Sequence, residues 1–119
     1  MLIAIPVKFN KENPPISPLF GHAKYFAFIK DNEIKIEENP YDGGVQVVNW
    51  LLEKEVDVII TQHIGLKPFV LLHNEGVKCY FGGDGRILLK DAIENFKKGN
   101  LEEINEENIE KFARHQHRH

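Results

Sequence analysis

His22 and His63 are the residues of this chain whose type and placement could do chemistry. His22 closes the segment Ser17-Pro18-Leu19-Phe20-Gly21-His22, and His63 lies within Thr61-Gln62-His63-Ile64-Gly65. A neutral imidazole carries a nitrogen lone pair that suits transition metals, and it also hydrogen-bonds. Each ring therefore has two readings. His22 is a metal or cluster ligand on a glycine-flexed loop, or a loop histidine bonded to backbone; His63 is a second ligand, or a helix-cap residue. Convergence favours ligation, because the order of strands and helices should bring both loops to one edge of one sheet. Two imidazoles meeting there, without paired catalytic carboxylates, point to a site that binds something rather than one that cuts it.

The other reactive side chains are less informative. His115, His117 and His119 alternate at the end of the chain, so an extended backbone sets all three on one side and offers them to Ni²⁺, Zn²⁺ or Cu²⁺. The alternative is a solvated tail with loose metal affinity. His73, beside Leu72 in an apolar helical stretch, reads as a partly buried structural histidine. Cys79 is the only cysteine and alternates with Val77 and Phe81 on a strand, which makes it a buried, inert thiol. One cysteine permits neither an internal disulfide nor an all-thiolate cage, so a metal must rely on histidine, oxygen, or sulfur that arrives with the ligand. Gly82-Gly83-Asp84-Gly85 has neither a dinucleotide fingerprint nor a Walker lysine-serine pair, and reads as a turn with a helix cap. Asp57 falls at the start of its strand, the wrong end for a nuclease metal site, and no serine or cysteine occupies a nucleophile elbow. The expectation is a protein that is not an enzyme.

A chain of 119 residues is one domain around a single core. Its formal net charge of -3 gives no reason to expect a nucleic-acid surface. Met1-Leu2-Ile3-Ala4-Ile5-Pro6 has no basic leader, and no apolar run is long enough to span a bilayer, so a cytoplasmic protein without membrane contact is expected.

Hydrophobic periodicity supplies the elements that position the loops. Leu2 to Val7 reads as a strand followed by a long proline-containing loop. Lys24 to Ile29 and Glu33 to Glu38 form a hairpin across Asp31-Asn32. Val47, Val48, Leu51 and Leu52 mark a helix, Val56 to Ile60 a strand, Pro68 to Gly76 a second helix, and Val77 to Phe81 a fifth strand. Leu88, Leu89, Ala92, Ile93 and Phe96 form the stripe of a third helix. Beyond Asn100, residues 102–119 read as an acidic stretch, with a helical turn or two around Ile104, Ile109 and Phe112, then the histidine-rich end. The domain is expected to close at residue 101.

Numbered along the chain, the strands predict a five-stranded mixed sheet of order 3-2-1-4-5 with strand 2 antiparallel, flanked by helices in an α/β fold. A crevice should then open beyond the carboxyl ends of strands 1 and 4. The N-termini of the second and third helices are expected to point into it, offering N–H groups and partial positive charge to an anion.

Ser17-Pro18-Leu19-Phe20-Gly21-His22-Ala23 followed by Tyr25-Phe26, then Gly65, Gly76-Val77, Asp91-Ala92-Ile93, Phe96 and Gly99-Asn100-Leu101 together resemble the dinitrogenase iron-molybdenum cofactor biosynthesis family over roughly residues 1 to 101. The resemblance implies a ribonuclease-H-like fold without ribonuclease activity. It also implies a role in binding or carrying an iron-sulfur or iron-molybdenum-type cluster or its precursor, between cofactor donor and acceptor proteins. By position it assigns Ser17, Phe20, Gly21, His22 and Ala23, with Thr61, His63 and Gly65, to the binding surface. Neither loop contains cysteine, which departs from an ideal cluster carrier. Two other functions are compatible with the residues: a regulatory module binding a nucleotide or phosphate at the same helix ends, and a metal-handling protein using the terminal histidines.

Overall fold

The computed structural model describes residues 1–113; His115, His117 and His119 lie outside the described residues. The chain order is β1 (Ile3–Val7), β2 (Tyr25–Lys30), β3 (Glu33–Glu38), α1 (Gly44–Glu53), β4 (Val58–Thr61), α2 (Leu66–Asn74), β5 (Lys78–Phe81), α3 (Leu89–Lys97), β6 (Glu102–Ile104) and α4 (Ile109–Ala113). These form one mixed sheet of order β3-β2-β1-β4-β5-β6. β1 pairs parallel with β4 and antiparallel with β2, and β4 pairs parallel with β5. Asp31 and Asn32, at φ 52° and 70°, make the two-residue turn between β2 and β3, whose right-handed twist matches that of the strands it joins.

The expected order of five strands is present, but the sheet has a sixth. Glu102 to Ile104, read from sequence as part of an acidic tail, runs antiparallel along β5 and sets Ile104 opposite Cys79. α4 follows, burying Ile109, Phe112 and Ala113. Residues 102–113 therefore contribute to the core and cover what would otherwise be an open strand edge.

The sheet separates two apolar layers. One face packs Ala4, Phe26, Phe28 and Ile59 against Val48 and Leu51 of α1, Phe69 and Leu72 of α2, and Phe112 of α4. The other packs Ile3, Ile5, Val58 and Ile60 against Leu89, Ala92 and Ile93 of α3. Asp57 holds the opposite edge of the sheet from the expected crevice: its carboxylate accepts the Leu2 N–H at 2.8 Å. Among the described residues, no helix is long and apolar enough to cross a membrane.

Candidate functional site

The segment after β1 is a hydrogen-bonded strap rather than a loose loop. Lys8 N–H donates to the Pro15 carbonyl at 3.0 Å, Ile16 N–H to Ile87 at 2.8 Å, and Ser17 N–H to Pro6 at 2.8 Å. Phe20 N–H then donates to the His63 carbonyl at 3.1 Å. Ile16 is buried in the layer that contains α3, whereas Phe20 is buried in the layer that contains α1 and α2, edge-on to Phe26 at 5.7 Å. The strap thus crosses from one side of the sheet to the other over the carboxyl edge of β1 and β4, anchored at each end by an apolar side chain.

This crossing divides the expected crevice. A hollow of about 440 Å³ is lined by Leu19, Phe20, Gly21 and His22 of the strap, by Gly44 and Val45 of α1, and by Gly65 and Pro68 of α2. A second, of about 300 Å³, is lined by Lys8, Pro15, Ile16 and Pro18, by Gln62 and His63, and by residues 83–86. The two share no lining residue. His22 and His63 do not face one another across a common hollow, which corrects the arrangement expected from the order of elements. Antiparallel placement of β2 does bring His22 to the predicted edge, but it leaves open which side of the strap each ring occupies.

His22 stands in the larger hollow with its Nδ1 2.8 Å from Oδ1 of Asp42. With the carboxylate accepting from Nδ1–H, the lone pair of the neutral ring is on Nε2, so Asp42 fixes both tautomer and ring direction. The neighbouring helix ends add a second property. Gly43 is the N-cap of α1 and Gly65 that of α2, neither helix having a side-chain cap or an acidic residue in its first turn. Their leading backbone N–H groups lack side-chain acceptors, and the positive ends of two dipoles meet at one cavity. Glycine makes the meeting possible. A β-carbon on Gly44 would collide with the Pro68 ring, and one on Gly21 would lie 3.0 Å from the Gly44 nitrogen. α1 and α2 supply this edge, not α2 and α3 as expected. The start of α3 is already engaged, Leu89 N–H donating to the Pro14 carbonyl at 2.8 Å and Lys90 N–H to Asn13 Oδ1 at 2.9 Å.

The remaining positions are supporting ones. Ser17 is buried with its hydroxyl donating to the Leu19 carbonyl at 3.4 Å, and Ala23 is a core residue. Thr61 is fully buried and donates to the His63 carbonyl at 3.3 Å. None of the three lines either hollow. His63 has its Nδ1 3.2 Å from the Phe112 carbonyl, so it ties the end of β4 to α4. His73 is exposed, stacked on Phe69 at 5.4 Å. Cys79 is buried, and burial first, then the nearby Glu103 charge, push its thiol up to about 12. Among the described residues, no group of three or more His, Cys, Asp or Glu side chains could hold a metal ion.

Sequence reasoning did not find Asp42, Gly43 and Gly44, Pro68 or Gln62. Asp42-Gly43-Gly44 leads directly into α1, but its role depends on the 20-residue separation from His22 being closed in space.

A family model for the dinitrogenase iron-molybdenum cofactor family matches residues 1–99. The chain belongs to that family. Solved structures share the fold. A Thermotoga protein provisionally assigned as a NifB protein superposes with a TM-score of 0.74 at 28% identity, over 86% of this chain and 91% of that one. The apo form of the orange protein from Desulfovibrio gigas gives a TM-score of 0.76 at 20% identity, over 87% and 92% of the two chains. A protein of Methanocaldococcus jannaschii provisionally assigned as a dinitrogenase gives 0.66 at 23% identity, over 88% and 95%. The last two likenesses speak for the fold alone. No curated protein matches the chain. Family membership ties the fold to the iron-molybdenum cofactor.

Proposed function

We propose that this protein is a non-enzymatic carrier of an anionic iron-sulfur-based metallocluster, of the iron-molybdenum cofactor type or a precursor of it. The cluster sits in the hollow between the strap and the leading ends of α1 and α2, and passes between donor and acceptor proteins. The observation that carries this reading is the pairing of His22 with Asp42 beside two uncapped helix N-termini. Imidazole Nε2 offers one ligand to a metal at the cluster surface, and the helix N–H groups satisfy bridging or terminal sulfur and neutralise negative charge. The donor set fits a cluster that arrives with its own sulfur. It does not fit a bare ion that needs three or four protein ligands, since no such group exists among the described residues. A single protein ligand suits reversible transfer better than permanent storage. In this reading the sheet is a ribonuclease-H-like scaffold without ribonuclease activity.

Anaerobic titration with isolated iron-molybdenum cofactor, followed by absorption and by gel filtration, tests the proposal. Wild type is expected to retain the cofactor through the column and His22→Ala to lose it. Retention by His22→Ala equal to that of wild type overturns the assignment of the hollow.

A further inference from the structure

The smaller hollow lies on the other side of the strap from His22 and has a different chemistry. Lys8 and Arg86 both line it, and neither makes an ion pair among the described residues. Asp84, also in the lining, is likewise unpaired there, so the hollow has two cations and one carboxylate. Its floor includes Gln62, a residue only 5% exposed. Both N–H bonds of Gln62 Nε2 are used, one to the Gly83 carbonyl at 2.9 Å and one to the Gly85 carbonyl at 2.7 Å. Because both partners are carbonyls, the amide orientation is unambiguous. Oε1 then has no hydrogen-bond partner among the described residues, and a buried acceptor left without one is costly.

We infer that this second hollow is a binding site for a phosphoryl group, held by Arg86 and Lys8, on a ligand that also donates an O–H to the buried Gln62 oxygen. Arg86 supplies a planar fork matched to two phosphoryl oxygens, and Lys8 a point charge for the remaining ones. The unpaired acceptors Gln62 Oε1 and Asp84 call for donors on the same ligand. A hydrogenphosphate ion has one, and a phosphomonoester of a sugar or nucleoside has several. A sulfur-rimmed cluster has none, so the two hollows select different ligands. The volume of about 300 Å³ stands at the lower end of small-molecule sites, enough for a phosphate and a sugar ring. Gly83 and Gly85, at φ 115° and 77°, let the loop turn its carbonyls onto Gln62 while presenting Arg86 at the rim.

The test is a ¹H–¹⁵N titration of the full chain with inorganic phosphate and, separately, with AMP at constant ionic strength. Amides of Gln62 and residues 83–86 are expected to shift and saturate with a Kd of about 1 mM or tighter. Arg86→Gln should weaken binding about tenfold, while the charge-matched Lys98→Gln, at the exposed C-cap of α3, leaves it unchanged. Tighter binding of AMP identifies the ligand as a phosphomonoester, and equal or tighter binding of phosphate identifies it as the free anion; both outcomes support the site. Amides that stay unmoved by either probe, or equal weakening by Arg86→Gln and Lys98→Gln, would overturn it.

Discussion

Oδ1 of Asp42 lies 2.8 Å from Nδ1 of His22, linking the end of the strap to the residue that precedes the cap of α1. The two side chains are 88% and 63% exposed, so the contact adds little to folding stability. Its use is directional, because it leaves the Nε2 lone pair open for the ligation proposed above. Asp42→Ala is therefore expected to lower affinity for iron-molybdenum cofactor by about 10–100-fold, with a melting temperature within ~3 °C of wild type. Parallel cofactor titration and calorimetry check this, and a large drop in melting temperature would show the pair to be structural instead.

The close approach of α1 and α2 at Gly44 and Pro68 gives a second prediction. A β-carbon at residue 44 runs into the pyrrolidine ring, which cannot rotate away as a long side chain would. Gly44→Ala should cost about 1–3 kcal/mol in urea unfolding by forcing the two helix ends apart. It should weaken cofactor retention as well, since the same ends line the hollow.

Gln62 offers a third. Replacing it with Leu removes both donors to the Gly83 and Gly85 carbonyls at a buried position. The expected loss is about 1–3 kcal/mol, read as a lower urea midpoint with unchanged slope, together with faster amide exchange in residues 83–86.

Cys79 ties stability to pH with a definite sign. Burial raises its folded-state value from the ordinary 9.0 to about 12, so the folded protein holds the thiol proton to higher pH than the unfolded chain. This contribution is complete below 9.0 and is lost progressively as pH rises toward about 12. Urea midpoints of wild type should fall relative to those of Cys79→Ala above about pH 9, and the two should run parallel below it. Iodoacetamide should label the native thiol only as fast as the protein opens.

Truncation tests the role of β6 and α4. A chain ending at residue 101 loses the buried side chains of Ile104, Ile109 and Phe112 and bares the edge of β5. At about 1.5–3 kcal/mol for each large apolar side chain, the loss rivals the whole stability of a small domain. The shortened chain should lack a cooperative thermal transition, whereas one ending at residue 113 should keep it.

Much of the scaffold is legible along the chain because its causes are local. Alternation in Glu33 to Glu38 and the Asp31-Asn32 pair dictate a hairpin; the helical spacing of Val47, Val48 and Leu51 dictates a helix; the β-branched run before Thr61 dictates a strand covered on both faces. Together with the β2–β3 hairpin and the β4-α2-β5 crossover, these fix the order of the first five strands and carry the family's pattern around Phe20-Gly21. β6 was not legible, since Glu102-Glu103-Ile104 has no strand pattern of its own and is extended only because the edge of β5 supplies hydrogen-bond partners.

The site divides in the same way. Residue types and topology alone determined that His22 reaches the carboxyl edge of the sheet and that Cys79 is a core thiol. Tertiary structure alone decided that the strap crosses that edge between Ile16 and Phe20, placing His22 and His63 in separate hollows, giving His22 its partner Asp42 and burying Gln62. The reason is physical: strand order sets which end of the sheet a loop occupies, but the face it packs on is chosen by which of its apolar side chains enters which core. That choice depends on space left by α1, α2 and α3, which no local stretch of sequence encodes.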